Sequence, residues 1–375
     1  MRAAVLAGVG RPLEIRDDVV VAEPRAGEVR VRVAAAGVCH SDLSAAEGTM
    51  LVPTPVVLGH EGAGVVEQVG PGVTRVEPGD HVVVSWVPQC GECFFCRRDE
   101  GHLCERATVT MASGGLLDGT TRLSAGGAPL YQMAGTGTFG EIAVVPETGV
   151  VKVPRDLDLD LAALLGCAVL TGVGAACHTA RVRAGDTVAV VGCGGVGLNV
   201  IQGARIAGAG HVIAVDTEPA KLGLATAFGA AHVVDASAED PVSAVMDLTA
   251  QRGADVVFEV VGLQRTIDQA LAMTRRGGQA VLVGIPAMDA TVSLPAFFGV
   301  VLAGRTVTGC WYGSSNPQRD VPVLADLHRQ GRLELRELVS RRIDLDDVNG
   351  ALDDLRAGRG ARSVIVHGAG ARGTG

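Results

Sequence analysis

The sequence predicts an α/β protein made of a β-rich domain and a doubly wound, six-stranded parallel sheet. Three observations carry that expectation. Residues 1–150 alternate short β-rich runs with Gly/Pro turns; near Leu161 the texture changes to apolar runs at regular intervals; and Ala-rich, helix-competent stretches separate most of those runs.

Taken in order, the β-rich part contains VRVRVAAAG, GAGVVEQVG, DHVVVSWV and EIAVVPE, with almost no helical period. Within it, Met111 to Thr138 is rich in Gly, Ser and Thr and shows little periodicity, which predicts a long functional or disordered loop. The later runs are TVAVVG (187–192), HVIAVD (211–216), HVVD (232–235), DVVFEVVG (255–262), QAVLVG (279–284) and RTVTG (305–309). Continuous apolar strands alternating with helices indicate a parallel sheet covered on both faces. Six of them match two mononucleotide-binding halves, as in a Rossmann domain. After Trp311 the pattern predicts a polar helix Gln318–Gln330, an acidic helix Asp346–Ala357, a closing strand SVIVH and a frayed tail.

The chain has 375 residues, 47% of them apolar, enough for two domains with real cores. A formal charge of −9 argues against a nucleic-acid partner. No apolar run approaches the ~18 residues of a membrane span. The opening MRAAVLAGVG lacks the marks of a secretory signal, so a cytoplasmic location is expected. In that compartment nine cysteines read as metal ligands or reactive thiols rather than disulfides.

The glycines Gly192, Gly194, Gly195 and Gly197 follow one predicted strand and open a helix. That context permits a tight turn and close backbone approach to a pyrophosphate at the helix N-terminus. The next strand ends at Asp216, about twenty residues on, where a carboxylate accepts both hydroxyls of an adenosine ribose. Asp216 would repel a 2′-phosphate and its neighbour Thr217 is not basic, so NAD is expected over NADP. The bland reading is a helix cap.

Four cysteines, Cys90, Cys93, Cys96 and Cys104, lie within CGECFFCRRDEGHLC. They suffice for a closed tetrahedral thiolate shell around a structural zinc. The competing readings are a redox pair, which would want two cysteines at a helix start, and an iron–sulfur cluster. A closed shell admits no substrate, so chemistry must lie elsewhere. Cys39 in GVCHSD, His60-Glu61 in GHEGAG and Cys167 in LLGCAVLTG are further metal-ligand candidates, although Cys167 taken alone reads more readily as a simply buried core thiol. Spacing by itself does not join them.

The pattern GHE-x2-G-x5-G-x2-V, with CHSD upstream, the four-cysteine segment downstream, then GCGGVG, Asp216 and ARSVIV, resembles the zinc-dependent medium-chain alcohol dehydrogenases, dimeric forms in particular. The resemblance spans essentially the whole chain. It implies a GroES-like catalytic domain (1–168 and 312–375) around a Rossmann NAD-binding domain (169–311), two Zn2+ per subunit and a homodimer. It also implies that Cys39, His60 and Cys167 ligate a catalytic zinc, that Glu61 sits behind the metal, that Asp42 fixes the His60 tautomer and that Ser41 relays the alcohol proton. Two thiolates and a neutral imidazole leave the centre formally neutral. The implied reaction is oxidation of a primary alcohol, as its zinc-bound alkoxide, by hydride transfer to NAD lying near Thr171 and Val196, and the reverse.

Further positions follow from the same resemblance. His40 and Arg362 would meet the coenzyme pyrophosphate, Lys221 the adenosine ribose, and Val283–Ile285 with Cys310–Tyr312 the nicotinamide carboxamide. Trp86 and Trp311, with Met50, Leu116 and Met133, would wall a substrate pocket suited to hydrophobic or aromatic alcohols. Each of these five reads equally as ordinary core. Many relatives carry a histidine three residues beyond the relay hydroxyl, where this chain has Ser44. Two alternatives stand beside this reading. One is a thiol-adduct formaldehyde dehydrogenase of the same fold, for which Arg106 and Arg122 are candidate carboxylate partners. The other is a non-catalytic zinc and nucleotide module.

Overall fold

The computed structural model describes residues 1–368, and the GAGARGTG tail lies almost wholly outside the described residues. The chain forms two compact units, one of Met1–Ala168 with the segment from Asn316 onward, the other Val169–Ser315.

The long strand Glu28–Val38 organises the first unit. Its first half alternates: Val29, Val31 and Val33 are buried, while Arg30 and Arg32 point the other way. Those valines pack with Val66, Val82, Val84 and Val145 from neighbouring strands. In the second half, AAAGV, Ala35 to Val38 are all buried, and Ala36 and Val38 enter a different apolar cluster with Leu43, Leu58 and Ile365. Each fully buried valine contributes about 1.5–3 kcal/mol of apolar transfer. Glu28–Val38 pairs antiparallel with Glu61–Val69, Ile142–Pro146 and Arg362–Val366. Two short helices interrupt the β texture, His40–Glu47 and Glu105–Ser113.

The region Met111–Thr138 is not a structureless loop. After the helix Glu105–Ser113, strands Leu123–Ala125 and Ala128–Gln132 form a hairpin with Ala125 opposite Ala128. Gly126 and Gly127, at φ 56° and 81°, make its two-residue turn, which needs left-handed backbone at both positions. The strands are three and five residues long, too short to show a period. Arg122 fastens the hairpin. Its side chain is 1% exposed, its Nε donates to Glu28 Oε2 at 2.9 Å, and its Nη2 meets Asp118 at 2.8 Å. That ion pair holds Asp118 down at about 2: burial works against its charged form, but the Arg122 hydrogen bond and those from Thr120 outweigh it.

In the second unit the six apolar runs are the six strands of one parallel sheet. The order in space is His232–Asp235, His211–Asp216, Thr187–Val191, Ala254–Glu259, Thr274–Leu282, Thr306–Gly309. Strand order therefore reverses at Thr187–Val191, so the ends of that strand and its two neighbours form the topological switch point. The unit runs to Ser315 because the turn after Trp311 packs inside it. A Cβ on Gly313 would lie 2.5 Å from the Leu170 carbonyl, and Thr179 Oγ1 meets Ser314 Oγ at 2.8 Å.

Glu28→Ala should lower the first thermal unfolding transition by roughly 6–12 °C, since orphaning a buried charge costs about 3 kcal/mol. Differential scanning calorimetry checks this, and an unchanged transition would show that Asp118 alone suffices for Arg122.

Candidate metal centres and coenzyme site

Three distant residues converge at one end of the central strand pair. Cys39 follows Glu28–Val38 directly, and His60 immediately precedes Glu61–Val69, whose first residue pairs with Gly37. Cys167 follows the helix Leu159–Leu164, which packs on both strands. The sulfur and nitrogen atoms of Cys39, His60 and Cys167 all lie within 4.8 Å of one another, and all three residues are buried.

Asp42 orients this group. Its Oδ2 accepts the Cys39 N–H at 2.9 Å, while its Oδ1 accepts the Gly59 N–H at 3.1 Å and meets His60 Nδ1 at 3.2 Å. Occupying Nδ1 leaves Nε2 as the free ring nitrogen, and His60 Nε2 is buried without a hydrogen-bond partner among the described residues. An imidazole held this way presents a lone pair to a metal. Burial disfavours an imidazolium at His60, yet the charge and hydrogen bond of Asp42 raise its pKa well above the usual value. The same anionic surroundings attract a divalent cation. The hydrogen bond with Cys167 holds Cys39 well below the ordinary thiol range, and Cys167 is raised for the reciprocal reason. The donor set therefore fits Zn2+: two sulfurs, one of them readily ionised, and one oriented imidazole.

Glu61 lies behind these ligands. Its Oε1 accepts the Ala168 N–H at 2.9 Å, next to Cys167, and its Oε2 is 3.3 Å from Arg362 Nε. Burial raises the Glu61 carboxyl to about 7 even though Arg362 pulls it down. Arg362 is thus engaged with Glu61 and the Val38 carbonyl and is 4% exposed, while its Nη2 has no hydrogen-bond partner among the described residues. The strand register explains it: Arg362 begins the strand that pairs beside Val38. Ser41 Oγ is 4.0 Å from Cys39 Sγ on the first turn of helix His40–Glu47, where His40 is exposed.

The Trp86 ring meets the His60 ring edge-on at 6.3 Å. Leu116 and Met133 are 1% and 3% exposed, and Met133 belongs to the apolar core with Met50 half-buried against it. Those side chains are core residues first. Arg122, as described, is consumed by Glu28 and Asp118, and Arg106 pairs with Glu92 at 2.9 Å.

The four cysteines of residues 90–104 also form one cluster. Cys90 Sγ and Cys96 Sγ are 3.9 Å apart, and Cys93 Sγ and Cys104 Sγ 4.0 Å. A tetrahedral shell with Zn–S of about 2.3 Å has edges of about 3.8 Å. Backbone N–H groups of Cys93, Cys96 and Cys90 donate to Cys90, Cys93 and Cys104 sulfurs at 3.3–3.5 Å, as thiolates require. Burial opposes ionisation of Cys93, but the Cys96 and Glu105 N–H groups bring it down to about 6.

In the second unit, Gly192 has φ 97° and donates to the Val215 carbonyl at 2.8 Å. A Cβ on Gly197 would fall 1.8 Å from the Gly192 carbonyl oxygen, so the helix Gly195–Ile206 can start there only with glycine. A Cβ on Gly194 would meet nothing within 4 Å, which leaves its face open for a phosphate. The Asp216 carboxylate accepts the Cys193 N–H at 2.7 Å and the Glu218 N–H at 3.0 Å, joining the glycine turn to the end of its strand. Gly172 packs against the Val196 carbonyl, setting Thr171 beside the helix start. Lys221 is half-buried on helix Pro219–Ala227. Ile285 is 48% exposed, Cys310 and Tyr312 are buried, and Val283 and Trp311 are intermediate. The sequence reading passed over Glu259, a carboxylate inside the apolar run DVVFEVVG, whose signal is that it interrupts a buried strand.

Models of two families match the chain, an alcohol dehydrogenase GroES-like domain over 25–155 and a zinc-binding dehydrogenase over 195–329. An NDMA-dependent alcohol dehydrogenase of Amycolatopsis methanolica is 42% identical over 98% of this chain and 99% of its own. An S-(hydroxymethyl)glutathione dehydrogenase of Escherichia coli O139:H28 is 41% identical over 97% and 99%. Among solved structures, benzyl alcohol dehydrogenase from Acinetobacter calcoaceticus superposes with a TM-score of 0.92 at 32% identity, over 98% of this chain and 99% of that one. Whole-length identity above 40%, together with a GroES-like and a parallel-sheet unit, makes this oxidoreductase a member of the zinc-dependent medium-chain alcohol dehydrogenase family.

Proposed function

We propose that the enzyme oxidises hydrophobic or aromatic primary alcohols, and reduces the aldehydes, at a zinc held by Cys39, His60 and Cys167, with NAD preferred over NADP. The observation that carries this reading is the convergence of those three ligands with His60 Nε2 left unpartnered. Zinc there supplies the Lewis acidity that lowers an alcohol's pKa, and the nicotinamide supplies the hydride acceptor. Asp42 keeps the His60 tautomer, Glu61 with Arg362 balances charge behind the ligands, and Ser41 takes the alcohol proton. With Ser44 in place of an imidazole, protons leave Ser41 through water or ribose hydroxyls. Cys90, Cys93, Cys96 and Cys104 hold a second, structural zinc.

The coenzyme reading rests on the Gly192–Gly197 turn, with Asp216 on the ribose and Lys221 beside it. Thr171, Val196, Val283, Ile285, Cys310 and Tyr312 would line the nicotinamide half, and His40 the pyrophosphate. Engagement of Arg106 and Arg122 with Glu92 and Glu28 favours a plain alcohol over a thiol adduct carrying carboxylates. Trp86 beside His60 supports an apolar substrate. A homodimer through the second unit is supported by its edge strand Thr306–Gly309 and by exposed Phe297, Phe298 and Val301 nearby in sequence. A cytoplasmic location is consistent with a structure in which no described helix is long and apolar enough to cross a membrane.

Absorbance at 340 nm with NAD+ and benzyl alcohol, hexanol, or formaldehyde plus glutathione tests the reaction. Turnover confined to the thiol adduct would replace the alcohol reading. Since one relative carries NDMA dependence in its name, the same assay with and without NDMA reads whether NADH leaves after one turnover. Ser41→Ala should lower kcat for benzyl alcohol by about 100-fold with zinc retained; an unchanged kcat removes Ser41 from the relay. Metal analysis separates the two centres. Cys39→Ala should leave one zinc per subunit, abolish turnover and barely move Tm, whereas Cys96→Ala should leave one zinc and lower Tm markedly. Asp216→Gly should reduce the NAD/NADP ratio of kcat/KM at least about tenfold.

A further inference from the structure

Two carboxylates flank the strand Thr187–Val191 that leads into the glycine turn. Asp216 ends the neighbouring strand on one side, and Glu259 ends Ala254–Glu259 on the other. Glu259 is fully buried behind Val256, Val257 and Phe258 of its own strand. A carboxylate there is costly to desolvate, and strong hydrogen bonds must offset it. Its Oε1 accepts three: from Val261 N–H at 2.9 Å, Gly262 N–H at 2.7 Å and Thr266 Oγ1 at 2.7 Å. Its Oε2 is buried with no hydrogen-bond partner among the described residues. Its backbone carbonyl also accepts from Val283 N–H at 2.8 Å and Gly284 N–H at 3.0 Å.

The turn held by this side chain is wedged between two coenzyme segments. Val261 Cγ2 lies against the first glycine of the loop, so near that a Cβ on Gly192 would be 2.6 Å from it. On the far side, a Cβ on Gly284 would fall 2.3 Å from Gly262 N, and one on Gly262, at φ 86°, 2.5 Å from the Ile285 carbonyl. No slack exists on either side of the turn. We infer that Glu259 is a positioning residue for the coenzyme: by pinning Val261 and Gly262 it sets the spacing between the pyrophosphate turn and Val283–Ile285. It thereby governs affinity for the nicotinamide half of the dinucleotide, while Asp216 governs the adenosine half. This rests on the dinucleotide reading of Gly192–Gly197.

The test is titration of zinc-loaded wild type, Glu259→Ala and Glu259→Gln with NADH and, separately, with AMP, which lacks the nicotinamide half. Glu259→Ala should weaken NADH binding at least about tenfold and leave AMP within about twofold. Glu259→Gln keeps an oxygen for the three donors and should restore NADH to within about threefold of wild type. Equal losses for AMP and NADH, an undiminished NADH affinity, or a glutamine variant as weak as the alanine variant would each overturn the inference. If Glu259→Ala does not fold, Thr266→Val, which removes one donor, should weaken NADH about threefold with AMP unchanged; unchanged NADH overturns it. Wild type that binds neither ligand refutes the dinucleotide site itself, a failure distinct from these.

Discussion

The pairing of Gly37 with Glu61 is the constraint on which the catalytic unit depends. A Cβ on residue 37 would lie 2.3 Å from Glu61 Oε2, so only glycine lets that carboxylate cross the end of the central strand. Crossing there, Glu61 reaches the Ala168 N–H on one side and Arg362 on the other. Cys167 is held beside Glu61 by the first contact, and the strand register brings Cys39 and His60 to the same end. A side chain at residue 37 would displace the carboxylate and, with it, the segment that carries Cys167.

The two cysteine-bearing centres show how one ligand chemistry serves opposite ends. The four-cysteine cluster draws all its donors from one short stretch, and N–H groups of that same stretch solvate the sulfurs. A shell of that kind closes on its metal. The second centre takes donors from three separate elements and spends its hydrogen bonds on orientation, with Asp42 serving the Cys39 backbone, the Gly59 backbone and the His60 ring together. Three donors would leave a tetrahedral ion one open position.

Much of this was legible in the chain. The six parallel strands stood out because buried strands are continuous apolar runs, and the glycine turn because its strand, helix and Asp216 fall at fixed offsets. The four-cysteine cluster was readable because its ligands are local. Cys39, His60 and Cys167 were visible only as candidates: a site assembled from the ends of distant elements leaves no periodic trace, and only family resemblance joined them. The Leu123–Gln132 hairpin is hard to read because its strands are only three and five residues long. Arg122 is a candidate partner for a thiol adduct's carboxylates in the sequence because the sequence does not show that Glu28 lies across from it. The sequence likewise does not show that Arg362, whose strand pairs with Glu28–Val38, also meets Glu61.

The order in which the catalytic unit is threaded has a consequence for biosynthesis. The entire parallel-sheet unit, Val169–Ser315, lies in the chain between Glu61 and the strand that begins at Arg362. Cys39, His60 and Cys167 have therefore all left the ribosome long before the guanidinium that neutralises Glu61, and the central sheet lacks the strand beside Val38 until then. Assembly of this cluster therefore waits for the strand that begins at Arg362, with the unit Val169–Ser315 free to fold in the interval.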